Sequence, residues 1–226
     1  MKNMRNIWRF LAVIALVGGL AACKKDKEPE GPADLSGGCE AVDLGLSVKW
    51  ASYNVGAKKE DGYGSYFAWA ETSEKGSYDW SKEGEYKWGV FGVSDYLSKY
   101  MVDHITTLQP EDDPATKNWG AKWRTPTIAE INELHDETKC EWKWDAARKG
   151  YVVKGLKTGN SIFLPAAGYR NGTELRYAGE DGNYWSASVL ETYQYNAHNF
   201  IFNSGLHKPA VDNRCFGMSV RAVTKY

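Results

Sequence analysis

The chain has 226 residues and a formal net charge of −1 at pH 7. No Lys/Arg stripe appears beyond its N-terminal segment, which excludes a surface built to neutralise nucleic-acid phosphates. Ten Trp, 14 Tyr and 23 Gly, with little long helical periodicity, predict a loop-rich domain of short strands held by large side chains.

At the N-terminus, Lys2, Arg5 and Arg9 precede an apolar run over 10–20. That run is too short to span a bilayer as a stable helix. It closes on Leu20-Ala21-Ala22-Cys23. Small residues leading into a cysteine after such a run resemble a bacterial lipobox, in which the cysteine thiol is acylated and becomes the new N-terminus. The expectation is a signal peptide over 1–22, a lipid on Cys23, and a mature protein held through that lipid at the outer membrane or cell surface. Residues 24–38 alternate Lys with acid and then turn Pro/Gly/Ser-rich, a solvated tether whose role is reach. Roughly 185 residues then remain over 39–226, enough for one domain with a sizeable core.

Cys23 aside, the odd set Cys39, Cys140 and Cys215 allows at most one disulfide. No Cys or His spacing marks a zinc site, and His104, His135, His198 and His207 are scattered, so neither a metal nor another cofactor is expected.

Along the domain, 41–51 alternates apolar and polar in two stretches and predicts two strands kinked at Gly45. Residues 63–69 form an aromatic strand candidate, 78–88 a loop, and 95–100 a short helical turn. Thr127 and Glu130 spell a capping box behind Pro126, and Ile128, Ile131 and Leu134 follow as one apolar stripe. This predicts a short amphipathic helix over 127–138. Strands are expected at 140–144 and 151–154. Thr158-Gly159-Asn160 turns the chain into a hairpin strand over 161–165. Further strand candidates lie at 184–188, 197–203 and 218–223. The sum is an α+β domain without βαβ repeats, with short antiparallel strands and one or two short helices.

Several of these segments together resemble a known family. They are 42–51 with Asn54-Val55-Gly56-Ala57, 108–115, Asn118-Trp119-Gly120, Trp123-Arg124-Thr125-Pro126-Thr127, 164–170, Tyr184-Trp185-Ser186 and 217–223. In that order they are similar to the Fibrobacter succinogenes major paralogous domain, abundant in surface lipoproteins of Bacteroidetes. The resemblance covers nearly all of the mature chain. It implies the C-type-lectin-like fold of formylglycine-generating-enzyme type. Such a fold hosts binding proteins and enzymes alike, so it does not by itself assign a function. Family members often carry Cys where this chain has Tyr53, so the family's cysteine arrangement does not carry over to Cys140.

Gln109-Pro110-Glu111-Asp112-Asp113 has the side chains of a sugar-binding calcium loop. The Trp-Asn-Asp triplet that accompanies such loops is absent, and the expectation is that Asp112 and Asp113 bond loop amides or a basic residue. Arg124 and Arg221 are expected to be buried bridges to carbonyls or carboxylates. Formylglycine-generating enzymes use two cysteines near the C-terminus for copper-dependent oxidation, and only Cys215 stands there. Ser186 and Ser188 lack a recognisable His/Asp pairing. No catalysis is expected.

The candidate ligand-binding residues lie in the C-terminal third. Over 197–203, His198, Phe200 and Phe202 share one strand face, and Asn199, Ile201 and Asn203 share the other. If the Phe pair faces the core, Ile201 faces outward. Tyr193 and Tyr195 upstream, and Leu206, His207, Cys215 and Phe216 downstream, add aromatic and apolar side chains in loop contexts suited to recognition. The expected partner is a protein or glycan. The resemblance also implies an alternative, since some proteins of this fold are diversified by retroelements through adenine-directed mutagenesis. Tyr193, His198, Ile201, Leu206, His207, Cys215 and Phe216 are reachable from an Asn codon by adenine changes, whereas Gln194 and Lys208 are not. A structural envelope or appendage component is the third expectation.

Overall fold

The computed structural model describes residues 35–80, 86–88, 99–100, 104–193 and 195–226. Its elements are β1 (Ala41–Val42), β2 (Lys49–Ala51), α1 (Pro114–Trp119), α2 (Ile128–His135), β3 (Cys140–Asp145), β4 (Gly150–Gly155), β5 (Ser161–Pro165), β6 (Tyr169–Asn171), β7 (Glu174–Arg176), β8 (Gly182–Val189), β9 (Asn196–Asn203), β10 (Leu206–Asn213) and β11 (Val223–Thr224). The strands pair antiparallel in sheets of order β1-β2-β11, β10-β9-β8, β3-β4-β5 and β6-β7. The described residues thus make a loop-rich α+β domain of short strands.

Between β1 and β2 the chain turns at Gly45, whose φ is +78°. β11 then closes on β2, with Trp50 opposite both Val42 and Val223, so the two ends of the domain share one sheet. At α2 the capping box forms as its sequence predicts. The Thr127 hydroxyl accepts the Glu130 N–H at 3.3 Å, and the Glu130 carboxylate accepts the Thr127 N–H at 2.8 Å. Both terminal nitrogens of Arg124 reach the same carboxylate. Burial pushes the Glu130 carboxyl up, but Arg124 and the Thr127 amide outweigh that and hold it below its ordinary range. Ile131 and Leu134 are buried, and the helix ends at His135, shorter than expected, because Asp136 caps it and the chain turns there into β3.

Helix α1 carries no apolar period, yet it forms because Asp113 caps it and Pro114 opens its first turn. The Asp113 carboxylate accepts the N–H groups of Ala115, Thr116 and Thr125 and the Thr125 hydroxyl. Asp112 accepts from Lys99 at 2.7 Å, Tyr100 at 2.8 Å and Lys87 at 3.3 Å. Glu111 accepts from Lys99 at 2.9 Å, so all three carboxylates of the calcium-like loop are taken by amides, hydroxyls or ammonium groups of this chain.

Four expectations are corrected. Residues 63–69 form no strand beyond a single bridge, Phe67 to Met218. Of 218–223 only Val223 is in a ladder, and the rest runs through isolated bridges at Met218 and Ser219. The stretch after Leu206, read as loop, is instead β10, paired with β9 over eight positions despite Pro209. It is the edge of its sheet, where a residue without an N–H is tolerated. The domain also begins before Cys39: the Leu35 amide bonds the Trp119 carbonyl at 2.7 Å and Ser36 is buried, so the tether stops short of 38. In the expected helical turn at 95–100, residues 95–98 lie outside the described residues and Lys99 and Tyr100 form a bend.

One part of the core gathers Trp69, Trp119, Trp123, Trp185 and Tyr100. A second lies between α2, the β3–β5 sheet and β8–β9, with Trp50, Tyr151, Phe200 and Phe202. A third joins Tyr66, Tyr78, Tyr86 and Cys215. Irregular backbone buried among these rings needs partners, and the rings supply them. The indoles of Trp69 and Trp185 donate reciprocally across the core, to the Ser186 and Phe67 carbonyls, each at 2.8 Å. The hydroxyls of Tyr66, Tyr78, Tyr86 and Tyr184 donate to the carbonyls of Ala167, Tyr66, Trp69 and Pro165. Arg221, 1 % exposed, donates to Asn54 Oδ1 (2.8 Å) and to the carbonyls of Ala51, Ser52 and Phe163.

Arg221→Met leaves those acceptors buried and unpaired, so it is expected to lower stability by about 3 kcal/mol or more. Arg221→Lys should recover little, because an ammonium cannot span the fork of a guanidinium. Urea unfolding midpoints of the three proteins check both.

Candidate ligand-binding site

Opposed residues in an antiparallel pair share a face. The pairs Tyr184–Phe200, Gly182–Phe202 and Phe202–His207 set those side chains on one face of the β8–β10 sheet. Phe200 and Phe202 are 3 % and 1 % exposed and belong to the core beside α2. Gly182 makes this possible, since a Cβ there would lie 2.0 Å from the Phe202 ring. The pairs Asn183–Ile201, Trp185–Asn199 and Asn203–Leu206 define the other face. The division of 198–203 read from the sequence is the one the sheet adopts.

Against that second face lies a cavity of about 160 Å³. Of the predicted residues, Ile201, Asn203 and Leu206 line it. They are joined by Tyr169, Asp181, Asn183, Asp212 and Met218, which the sequence did not single out. Backbone bonds hold these segments together. Gly168 N–H donates to the Asp181 carbonyl at 2.7 Å, and Ser219 N–H to the Asn183 carbonyl at 3.2 Å. Tyr169 packs at 5.5 Å from Phe216 and 6.1 Å from Tyr177.

The other candidates are placed elsewhere. Cys215 is fully buried among Tyr66, Tyr78 and Tyr86, so it cannot meet a ligand at the surface. Asn199 is likewise fully buried; its amide reaches the site through Asp212, whose Oδ2 accepts it at 2.8 Å, and through the Met218 sulfur at 3.4 Å. His207, expected in a loop, lies on the Phe face of β10, stacked on Trp142 at 4.6 Å. Its carbonyl bonds the His135 Nε2 at 3.0 Å. His198 is half-buried, and burial lowers its pKa. Phe216 is half-buried behind Tyr169. Tyr193 is half-exposed and meets Tyr195 edge-on at 5.7 Å, while Tyr195 meets Trp80 at 5.5 Å. Neither tyrosine lines the cavity. Cys23 and Gln194 lie outside the described residues.

The polar side chains of the cavity are the carboxylates of Asp181 and Asp212, the amides of Asn183 and Asn203, and the Tyr169 hydroxyl, which bonds Arg176. Burial raises the carboxyl pKa of Asp181, offset in part by the Asn203 side chain, and raises that of Asp212, offset in part by Asn199. The Asn183 Nδ2 is buried and has no hydrogen-bond partner among the described residues, and neither has the Asn199 Oδ1. Buried amide atoms are normally paired, so this face carries an unmet donor and an unmet acceptor. A larger cavity of about 260 Å³ lies between Trp123 and Tyr226, but its Asp113 and Arg124 are already committed to α1, Thr125 and Glu130. Among the described residues, no group of three or more His, Cys, Asp or Glu is placed to hold a metal ion.

Cys39, Cys140 and Cys215 are free thiols in three separate parts of the core. Burial pushes Cys140 up to about 11 and Cys215 up to about 12, which leaves almost no thiolate at neutral pH. Iodoacetamide at about pH 8 is therefore expected to spare both in the folded chain and to alkylate both in urea, as read by peptide mass spectrometry. In comparisons with known proteins, no family model, no curated protein and no solved structure matches this chain.

Proposed function

We propose that this chain is a cell-envelope lipoprotein, anchored through Cys23, whose C-type-lectin-like domain binds a protein or glycan ligand without catalysing a reaction. The observation that carries this reading is the cavity on the outer face of β8–β10. There Ile201, Asn203 and Leu206 meet two half-buried carboxylates and a buried, unpaired amide. A concave site with apolar walls and a few converging polar groups is the usual form of a ligand pocket. The α+β make-up with short antiparallel strands supports the fold assignment, which rests on the ordered motifs from 42 to 223.

The leader pattern ending at Cys23 supports the anchor, and the polar segment after it supports a domain held away from the lipid surface. Among the described residues, no helix is long and apolar enough to cross a membrane. The burial of Cys215 favours binding over the oxidative chemistry of formylglycine-generating enzymes, because that chemistry needs an accessible thiol.

Two experiments test the reading. Cys23→Ser is expected to abolish incorporation of labelled fatty acid into the protein expressed in a lipoprotein-processing bacterium; unchanged labelling would remove the anchor. Glycan-array and surface-display screens with the unit Gly31–Tyr226 are expected to return a ligand. Its binding should be lost in Ile201→Ala/Leu206→Ala, with a stability change within about 1 kcal/mol. A ligand that still binds this double variant would place recognition elsewhere. Tyr195→Ala, by contrast, should lower the melting temperature, since that ring packs against Trp80.

A further inference from the structure

We propose that the cavity on the outer face of β8–β10 is a subsite for one uncharged pyranose ring of a glycan. This rests on the recognition reading above and narrows it to a ligand class. About 160 Å³ holds on the order of ten water molecules, the scale of a single sugar ring.

The polar inventory selects the chemistry. Asn183 is 7 % exposed and lines the cavity, and its Nδ2 donor has no partner among the described residues. A ligand atom that satisfies it must accept a hydrogen bond. Asp181 and Asp212 must be met by donors, and neither has an ion-pair partner among the described residues. Among the described residues, no Lys, Arg or His lines the cavity. A hydroxyl group is donor and acceptor at once, so adjacent ring hydroxyls satisfy both carboxylates and the amide together. A simple ammonium ion offers donors only and leaves Asn183 unpaired. An anionic sugar adds a third negative charge beside two carboxylates already short of solvent, which disfavours it.

The walls suit the apolar side of such a ring. Ile201, Leu206 and Met218 present carbon and sulfur, and Tyr169 presents a ring backed by Phe216. Asp212 is held in place from behind by the fully buried Asn199 amide, so one acceptor is fixed before the ligand arrives.

The test is saturation-transfer NMR on the full chain in detergent micelles. Free glucose, galactose, mannose and N-acetylglucosamine serve as neutral probes, with glucuronate as the anionic one. At least one neutral sugar is expected to bind at millimolar concentration and glucuronate is not. Asp181→Asn/Asp212→Asn, at carboxylates that are only half-buried, should weaken the neutral sugar by about tenfold and narrow its preference over glucuronate. Asn183→Leu should lose the signal; should that variant fail to fold, the carboxylate pair still decides.

The proposal is overturned if no neutral sugar binds, if glucuronate binds as well as a neutral one, or if the carboxylate variant binds unchanged. A protein ligand lost in Ile201→Ala/Leu206→Ala, with no sugar signal, would overturn the sugar subsite while leaving recognition through this face intact.

Discussion

The fold depends on side-chain donors that satisfy buried irregular backbone. Much of this domain is neither helix nor ladder, yet segments such as 66–70 and 165–167 run through its interior. Among the described residues the carbonyls of Tyr66, Trp69, Ala70 and Ala167 meet no backbone donor, and a buried carbonyl left unpaired would weigh against folding. The hydroxyls of Tyr66, Tyr78 and Tyr86 and the indole of Trp88 meet these four, and the Tyr184 hydroxyl, the indoles of Trp69 and Trp185 and the guanidinium of Arg221 bond other interior carbonyls. A ring that fills space and ends in a donor does two jobs at one position. This gives physical content to the heavy Trp and Tyr composition: the rings serve as core and as hydrogen-bonding scaffold for loops. Arg214 extends the device, lying 4.6 Å above Trp69 while its Nε donates to the Tyr86 hydroxyl.

The candidate site is a product of the same arrangement. Bonds from Gly168, just ahead of β6, to Asp181, and from Ser219 to β8, set Tyr169 and Met218 beside Asn183 and Ile201. One sheet face is spent on the aromatic core, while the other buries Trp185 at one end and borders the cavity at Asn183, Ile201 and Leu206. The spent face is dense, with Tyr151 and His207 both edge-on or stacked against Trp142. The polar residues of the opposite face are not all used up, and Asn183 is the sharpest instance.

Local patterns made part of this legible from the sequence. The capping box at Thr127 and Glu130, the β3–β4–β5 meander and the two-faced pattern of 198–203 each depend on residues close in the chain, so periodicity and turn chemistry suffice to find them. α1 escapes a periodicity reading because its six residues hold no apolar stripe; its signal is Asp113 before Pro114, which from the sequence alone reads as a loop carboxylate bonding nearby amides. β10 was missed because Pro209 interrupts an otherwise alternating run, and only a sheet-edge position makes that proline compatible with a strand. The same error hid Asp212. Asp181 and Asn183 flank Gly182, a pattern that reads as a turn until Phe202 is seen to require the missing Cβ. From the sequence Cys215 reads as a binding residue because Arg214 and Gly217 make its neighbourhood look exposed, whereas Arg214 is itself buried over aromatic rings. The burial of Arg214 and Cys215 depends on Tyr86 and Tyr78, more than a hundred positions away in the chain, which no local pattern encodes.

Pro209 has a consequence for how copies of this domain coexist. The His207 carbonyl is bonded to His135 of α2 and so points away from β9. Backbone groups alternate sides along a strand, which puts position 209 on that same outward side. One outward carbonyl is therefore already occupied, and the next outward donor does not exist. The exposed Lys208 between them adds a charge. An incoming strand would find a broken row of partners. Domains crowded side by side, each of them ending in an open sheet, are thereby protected from zipping into fibres along β10.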